Sequence, residues 1–363
     1  MKLLDQLVSS IVSPPAFGLD ISDFTVKFVK FTRSLSGGLI MEAFGEIVLP
    51  EGTVVEGEIK KEAELISVLK NNLVTTEGQR FSERFVAATL PEEKGFVHAL
   101  QLPKMRPEDA RKAARWEIEG IVPLPPEELY FDYAILSPTK DSLDHMDLLV
   151  TAFPRTIVDS YVRVLEEAGF SPVSLELESQ AISRSLWSGE KEALIFVDLG
   201  ATRTSFMTVV QESLIFTRSI PVGGKDFERS IAERLGVSKE EAKKIKIEVG
   251  LAKDYQGGAV YAALLPLVSA LADELKKHVL FYREHSTHRH GMPGDILRVV
   301  LSGGDANLTN LTNYLSVVLK KEVRIGNPLS RLFLEKHFAP PFSKNESLKY
   351  TTAIGAALRG VGL

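Results

Sequence analysis

Cysteine is absent from the 363 residues. That excludes a disulfide framework, thiolate catalysis and cysteine-based metal ligation, and it fits a cytoplasmic setting. A charge excess of the kind that recruits nucleic acid is also missing: 43 basic against 48 acidic residues leave a net charge of −5. Long apolar runs are scarce. The longest, Val260 to Ala272, is interrupted by Pro266 and is too short for a bilayer. There is no P-loop, no Gly-x-Gly-x-x-Gly fingerprint and no Ser/His/Asp arrangement. What remains is the composition of a globular protein, 44% apolar and 25% charged, with length for about two domains and a core in each.

The N-terminal stretch is amphipathic rather than a signal peptide. Leu3, Leu4, Leu7, Val8, Ile11 and Val12 share one helical face, and Asp5, Gln6, Ser9 and Ser10 break any apolar core. Residues 1–16 read as a terminal amphipathic segment, packed on the protein's own surface or frayed, with docking to a partner or a membrane surface as the alternative. Two other clusters read as surface. Glu284, His285, His288 and His290 sit at a polar helix end before Gly291, and Lys243, Lys244 and Lys246 form a solvated helix face.

The organising stretch is Ala193 to Val210: a buried strand, an Asp-x-Gly turn and a second strand of Thr, Phe, Met and Val. Ala16 to Phe31 repeats it. Each copy places one carboxylate, Asp20 or Asp198, at the end of an apolar strand. Two such turns facing each other would form a clamp. Their backbone N–H groups would cradle a phosphate chain, and the carboxylates would hold a hydrated Mg²⁺. One Asp-x-Gly hairpin is a common turn. The repetition carries the argument.

Taken in order, the chain gives strands at 17–31 and 39–49, with a Gly37-Gly38 hairpin, then a helix over 60–72 and a strand over 84–90. The second half repeats this with strands at 194–197, 204–210 and 215–221, then a helix over 224–235. Strand-strand-strand-helix-strand is the opening of an actin-like (ribonuclease-H-like) half, so the fold class is α/β with that half duplicated. Between the halves, 91–168 reads as a small α+β insertion: strand, helix 107–120, a Pro-rich turn, two strands and helix 154–168. The second half continues through helices at 239–249 (with a Ser238/Glu241 capping box), 260–284 and 308–319, and a strand at 296–301. The expected domains are a first half (17–90, with a return over 169–192), the insertion, a second half (193–347, its outer part about 224–295) and a closing helix in 348–363.

At this point the chain resembles the actin-like ATPases. The turns around Asp20 and Asp198, Gly223-Gly-Lys-Asp226 and Leu301-Ser-Gly-Gly304 look like the loops that surround ATP there. Within that superfamily, Leu102-Pro-Lys-Met-Arg-Pro and the following Arg115-Trp-Glu117 resemble the type IV pilus assembly family PilM. Gly224-Lys-Asp-Phe227 and Ala357-Leu-Arg-Gly360 match it too, so the likeness spans essentially the whole chain. Alternatives are an FtsA-like filament former and a small-molecule kinase of the same superfamily. A kinase would need cleft residues that the sequence does not display.

The resemblance implies ATP and Mg²⁺ as cofactors, with Asp20 and Asp198 holding the metal through water. Ser22, Asp23, Phe24 and Lys27 belong to the first loop, and Gly200, Ala201, Thr202 and Arg203 to the second. Gly223, Gly224 and Lys225 open a helix whose N–H groups would point at the nucleotide. Gly303, Gly304 and Asp305 form the other glycine turn, and Glu241 with Lys244 the pair on the adenosine. Asp23 departs from the family pattern, because its charge would oppose phosphate unless directed away. Glu178 or Gln180 stands where a water-positioning residue is kept, together with Asp198, so ATP binding is expected and turnover is weak or absent. Finally, the resemblance implies a PilN-like inner-membrane partner, whose N-terminal cytoplasmic peptide enters a cleft between the insertion and the first half. Arg115 and Trp116 are the candidate partner residues, with a core position on an amphipathic helix as the other reading of Trp116. The protein would act as a nucleotide-held adaptor beneath the membrane, with further platform proteins and self-association as additional contacts.

Overall fold

The computed structural model describes residues 14–34, 38–74, 81, 83–136, 145–286, 295–330, 332 and 341–363. The amphipathic stretch over 1–12, Gly37 of the expected hairpin, His288 and His290 lie outside them, as does the side chain of His285. The chain forms two compact units, residues 1–187 with 328–343 and 350–363, and residues 188–327 with 344–349.

The first unit begins with β1 (Phe17–Ile21), β2 (Thr25–Arg33) and β3 (Leu39–Val48). A two-residue hairpin follows, β4 (Val54–Val55) and β5 (Glu58–Ile59), then α1 (Glu62–Asn72) and β6 (Phe85–Leu90). Next come β7 (Phe96–Pro103), α2 (Pro107–Ile121), β8 (Leu129–Ile135), β9 (His145–Pro154), α3 (Arg155–Glu167), β10 (Ser171–Leu177) and α4 (Glu178–Leu186). The main sheet runs β10-β6-β1-β2-β3. β1 is central, antiparallel to β2 and parallel to β6, and all five of its residues are buried. A strand covered on both faces has no use for alternation, which is why Phe17-Gly-Leu-Asp-Ile21 reads as a continuous apolar run.

The insertion is a three-stranded antiparallel sheet, β7-β9-β8. α2 covers one face through Ala110, Ala114 and Ile118, which meet Leu100, Leu102, Leu148 and Val150. α3 joins the main core instead, with Ile157, Tyr161, Val164 and Leu165 packed in the cluster that holds Phe17 and Leu19.

Two elements lay hidden in the segment 169–192. β10 is an edge strand carrying Pro172 at a register shift, where proline is tolerated because that side of the ladder is open. α4 contains Ser179, Ser183 and Ser185, which lower helix propensity; its burial in the unit supplies what the local sequence does not.

The second unit contains β11 (Ala193–Leu199), β12 (Thr204–Val210), β13 (Ser213–Ile220), α5 (Gly224–Leu235), α6 (Lys239–Glu248), α7 (Ala259–Ser286), β14 (Ile296–Ser302), α8 (Leu311–Leu319) and β15 (Glu322–Ile325). Its sheet order, β13-β12-β11-β14-β15, reproduces the first with the same parallel and antiparallel pairings. The last helix, α9 (Thr351–Gly360), belongs to the first unit and packs on β1 and α4. A Cβ at Gly355 would lie 1.8 Å from the Ala181 carbonyl oxygen, so only glycine permits this approach.

By length and composition α7 could cross a bilayer, a feature the Pro266 interruption concealed in sequence. Val260, Leu264, Val268, Leu271 and Leu275 are nevertheless buried in the unit's own core, as is His278. The His278 Nε2 lies 2.7 Å from Thr208 Oγ1, and burial, aided by Arg218, lowers its pKa to about 3. Folded His278 is therefore neutral, whereas the unfolded chain takes up a proton below about pH 6.5. Stability contributed by this group is present above pH 6.5 and lost on acidification, by up to about 1.4 kcal/mol per pH unit. Urea unfolding between pH 7 and pH 5 should show that slope, and His278→Gln should flatten it.

Candidate functional site

Asp20 ends β1, is 6% exposed and sits in register opposite Lys27 of β2. The Thr89 hydroxyl, at the end of the parallel strand β6, donates to Asp20 Oδ1 at 3.3 Å. The following turn is closed by Ser22, whose N–H and hydroxyl both donate to the Thr25 carbonyl at 2.9 Å. Asp23 Oδ1 accepts the Gly57 N–H at 3.0 Å. One of its carboxylate oxygens is thus engaged by the β4–β5 hairpin. Lys27 Nζ donates to Thr25 Oγ1 at 2.7 Å, and the Phe24 carbonyl accepts the Leu49 N–H.

The second unit repeats the device. Asp198 ends β11, and Ser302, at the end of the parallel strand β14, donates its hydroxyl to Asp198 Oδ1 at 3.0 Å. The turn Gly200-Ala-Thr-Arg203 closes with the Gly200 N–H on the Arg203 carbonyl, 3.0 Å. In each unit a carboxylate is thereby held at a strand end by a hydroxyl from the neighbouring parallel strand.

The start of α5 differs from the sequence expectation. The Gly224 N–H donates to the Gly200 carbonyl and the Lys225 N–H to the Ala201 carbonyl, both at 2.9 Å, and the Asp226 side chain caps the Gly223 N–H. These donors fasten the helix to the Asp198 turn instead of standing open to a ligand. The close approach explains the glycine pair: a Cβ on Gly223 would fall 2.6 Å from the Ala201 carbonyl, and one on Gly224 would overlap the Asp305 carboxylate.

Asp305 belongs to the second glycine turn. Gly303 has φ +88, and the Asp305 N–H donates to the Leu199 carbonyl, so the turn is seated on the end of β11; Gly304 is exposed. Lys246, read from sequence as one of a solvated run, is buried between Asp305 (2.5 Å) and Glu228 (2.7 Å). Burial opposes its charge, but the two carboxylates outweigh that and hold its pKa above the ordinary lysine value. Burial pushes the Asp305 carboxyl upward, with Lys246 opposing. Glu241 and Lys244 are exposed on α6, where the Glu241 N–H is capped by Ser238 Oγ. A charge run conceals its one buried member unless the apolar positions Ala242 and Ile245 are used to phase the helix.

Glu178 opens α4. It accepts the Glu92 N–H at 3.3 Å, while Glu92 accepts the Ser179 N–H at 3.2 Å. Gln180 is engaged otherwise, its Oε1 accepting the Leu177 N–H as a helix cap.

A separate cleft of about 380 Å³ lies within the first unit. Its walls are the outer strands β8 (Tyr130 to Ala134) and β10 (Ser174 to Glu176), and Arg184 and Arg359 also line it. Arg184 makes a two-pronged ion pair with Glu176, both contacts 2.6 Å, and donates to the Gly355 carbonyl at 2.8 Å. Arg115 and Trp116 do not line this cleft. They stand on the exposed face of α2.

Replacing Lys246 by Met should leave two carboxylates buried without their cation. The expected cost is roughly 3–5 kcal/mol, measured as a lower urea midpoint at unchanged slope.

A family model described as type IV pilus assembly protein PilM matches residues 18–361. Among solved structures, one titled as a PilM-PilN type IV pilus biogenesis complex aligns with a TM-score of 0.80 at 24% identity, over 96% of this chain and 99% of that one. The ethanolamine utilization protein EutJ from Carboxydothermus hydrogenoformans aligns with a TM-score of 0.54 at 17% identity, over 95% and 89% of the two chains. MreB 5 of Spiroplasma citri bound to AMPPNP gives 0.51 at 12%, over 94% of each chain. These likenesses place the chain on the actin-like ATPase fold. Among curated sequences, the cell division protein FtsA of Borreliella burgdorferi is 26% identical over 200 residues, 50% of this chain and 48% of the relative. FtsA of Streptococcus pneumoniae is 26% identical over 235 residues, 60% of this chain and 50% of the relative. The chain thus spans about half the length of the curated relatives it matches. With the family model covering nearly every residue from the first strand to the last helix, the chain belongs to the PilM family of type IV pilus assembly proteins.

Proposed function

We propose that this protein is an Mg-ATP-binding scaffold of a type IV pilus assembly platform, and that it grips the N-terminal peptide of a PilN-like membrane protein. The carrying observation is the repeated carboxylate at the end of β1 and β11, each fixed by a hydroxyl from the adjoining parallel strand. The donor set suits the group. Among the described residues no cluster of three acidic or imidazole side chains is present, so single carboxylates would hold Mg²⁺ through its waters and the phosphates, the usual mode for that ion. Lys27 supplies a cation beside the first turn. One structural neighbour, MreB 5, is described with AMPPNP bound, which supports the reading.

Bound Mg-ATP would supply the charge that a carboxylate turn of this kind, at Asp20 or at Asp198, is built to meet. This chain's residues bind and hold it; Glu178, tied to the Glu92 backbone, is the residue to position a water, and turnover is slow or absent. The role is therefore adaptation rather than catalysis, at the cytoplasmic face of the membrane through partners.

The peptide reading rests on the first-unit cleft. Its two walls are edge strands, whose outward backbone N–H and C=O groups are a template for an added strand. The solved complex of the same family contains PilN by its title, which supports that partner chemistry.

Labelled Mg-ATP, with bound nucleotide and released phosphate read from one sample, tests the first part. About one nucleotide per chain and little phosphate are expected. Asp20→Asn and Asp198→Asn should each weaken binding at least about tenfold, about 1.4 kcal/mol. Variants that bind as the wild type does would sink the assignment. For the second part, Tyr130→Ala should weaken a fluorescent PilN-like N-terminal peptide about tenfold and leave nucleotide binding unchanged. An unchanged peptide affinity would remove the cleft from the account.

A further inference from the structure

A second cavity of the first unit, about 410 Å³, lies between the C-terminal ends of α1 and α3. That volume falls within the roughly 300–1,000 Å³ of ligand pockets. The position is remote from the carboxylate turn. Phe81 and Phe170 line the cavity and pack against Phe17, which begins β1, whereas Asp20 stands toward that strand's other end. Leu69 of α1, Leu73 just past it and Ala168 just past α3 complete an apolar floor, and all five side chains are buried in the fold. The Phe81 and Phe170 rings meet the Phe17 ring edge-on, at 4.7 and 5.3 Å between centroids. Rings fixed in this way hold the space open, where a core otherwise packs out voids larger than a water.

The rim carries Lys70, Glu83 and Arg84. Glu83 is paired with Lys30 of β2. Lys70 and Arg84 are exposed and have no ion pair among the described residues; Arg84 donates only its Nε, to Ser171 Oγ at 3.3 Å. The cavity thus joins an apolar floor to two cations that lack an anion. Its backbone is already engaged. The Phe81 N–H donates to the Leu73 carbonyl at 3.1 Å, the Gly169 N–H to the Glu166 carbonyl at 2.9 Å, and the Phe170 N–H to the Leu165 carbonyl at 2.9 Å. An extended peptide needs backbone partners of the kind these donors would supply. A ligand with an aliphatic body and one anionic end needs none of them.

We propose that this cavity is a binding site for a free aliphatic carboxylate, whose chain lies on the Phe81 and Phe170 floor and whose carboxylate meets Lys70 and Arg84. Burial of the chain supplies the affinity, and the two charge-assisted contacts fix which end faces solvent. The inference is independent of the nucleotide and peptide readings.

Titration calorimetry of the full chain with octanoate, decanoate and dodecanoate, each below its micelle concentration, tests it. Affinity should rise about three- to fourfold per added methylene until the floor is covered. Decanol, the same chain without the charge, should bind at least about tenfold more weakly than decanoate. Lys70→Gln and Arg84→Gln, both at exposed positions, should each weaken decanoate about tenfold and leave decanol unchanged. Ala168→Leu, which fills the cavity, should abolish binding of both ligands in a protein whose circular dichroism matches the wild type. Phosphatidylglycerol vesicles without added carboxylate should not bind. No heat at any chain length, equal affinities for decanoate and decanol, decanoate binding unchanged in both glutamine variants, or capture by the vesicles in place of the free carboxylate would overturn the proposal.

Discussion

Parallel pairing of the first strand of each unit with the strand that follows the hairpins is the constraint on which the site depends. β1 runs alongside β6, and β11 alongside β14, so both strands of each pair end at the same edge of their sheet. That edge is where a side chain can leave the ladder without leaving the fold. Asp20 and Asp198 do so, and Thr89 and Ser302 meet them there. A buried or half-buried carboxylate is costly unless hydrogen-bonded. The neighbouring hydroxyl reduces that cost and fixes the rotamer together.

In the second unit the constraint propagates further. The Asp198 turn accepts the first N–H groups of α5, and the Gly303 turn sits on the Leu199 carbonyl, so both loops are built on the end of one strand. Lys246 then neutralises the charge brought in by Asp305 and Glu228 and ties α6 to that assembly. Lys246 is the member on which the set depends: without it both carboxylates are left without a counter-charge, whereas loss of one carboxylate leaves Lys246 paired with the other.

How much of this could be read in the sequence depends on the distance over which each feature is encoded. The Asp20 and Asp198 turns are local, so strand, turn and strand were legible, and the repeat made the duplicated fold legible with them. β10 and α4 were not, because Pro172 and three serines argue locally against what the surrounding core enforces. Lys246 was hidden in a run of lysines, and the direction of the Asp23 carboxylate depended on Gly57, thirty-odd residues away along the chain. The cleft was the least legible. It is assembled from edge strands belonging to two sheets, and neither Tyr130 nor Glu176 announces the other.

The proposed Mg-ATP binding rests on the carboxylate turns that follow β1 and β11. Hydrogen exchange of the full protein with and without Mg-ATP tests it most directly. Slowed amide exchange is expected at Ser22 to Thr25, at Gly200 to Arg203 and at Gly303 to Asp305. Unchanged exchange in all three turns would contradict it.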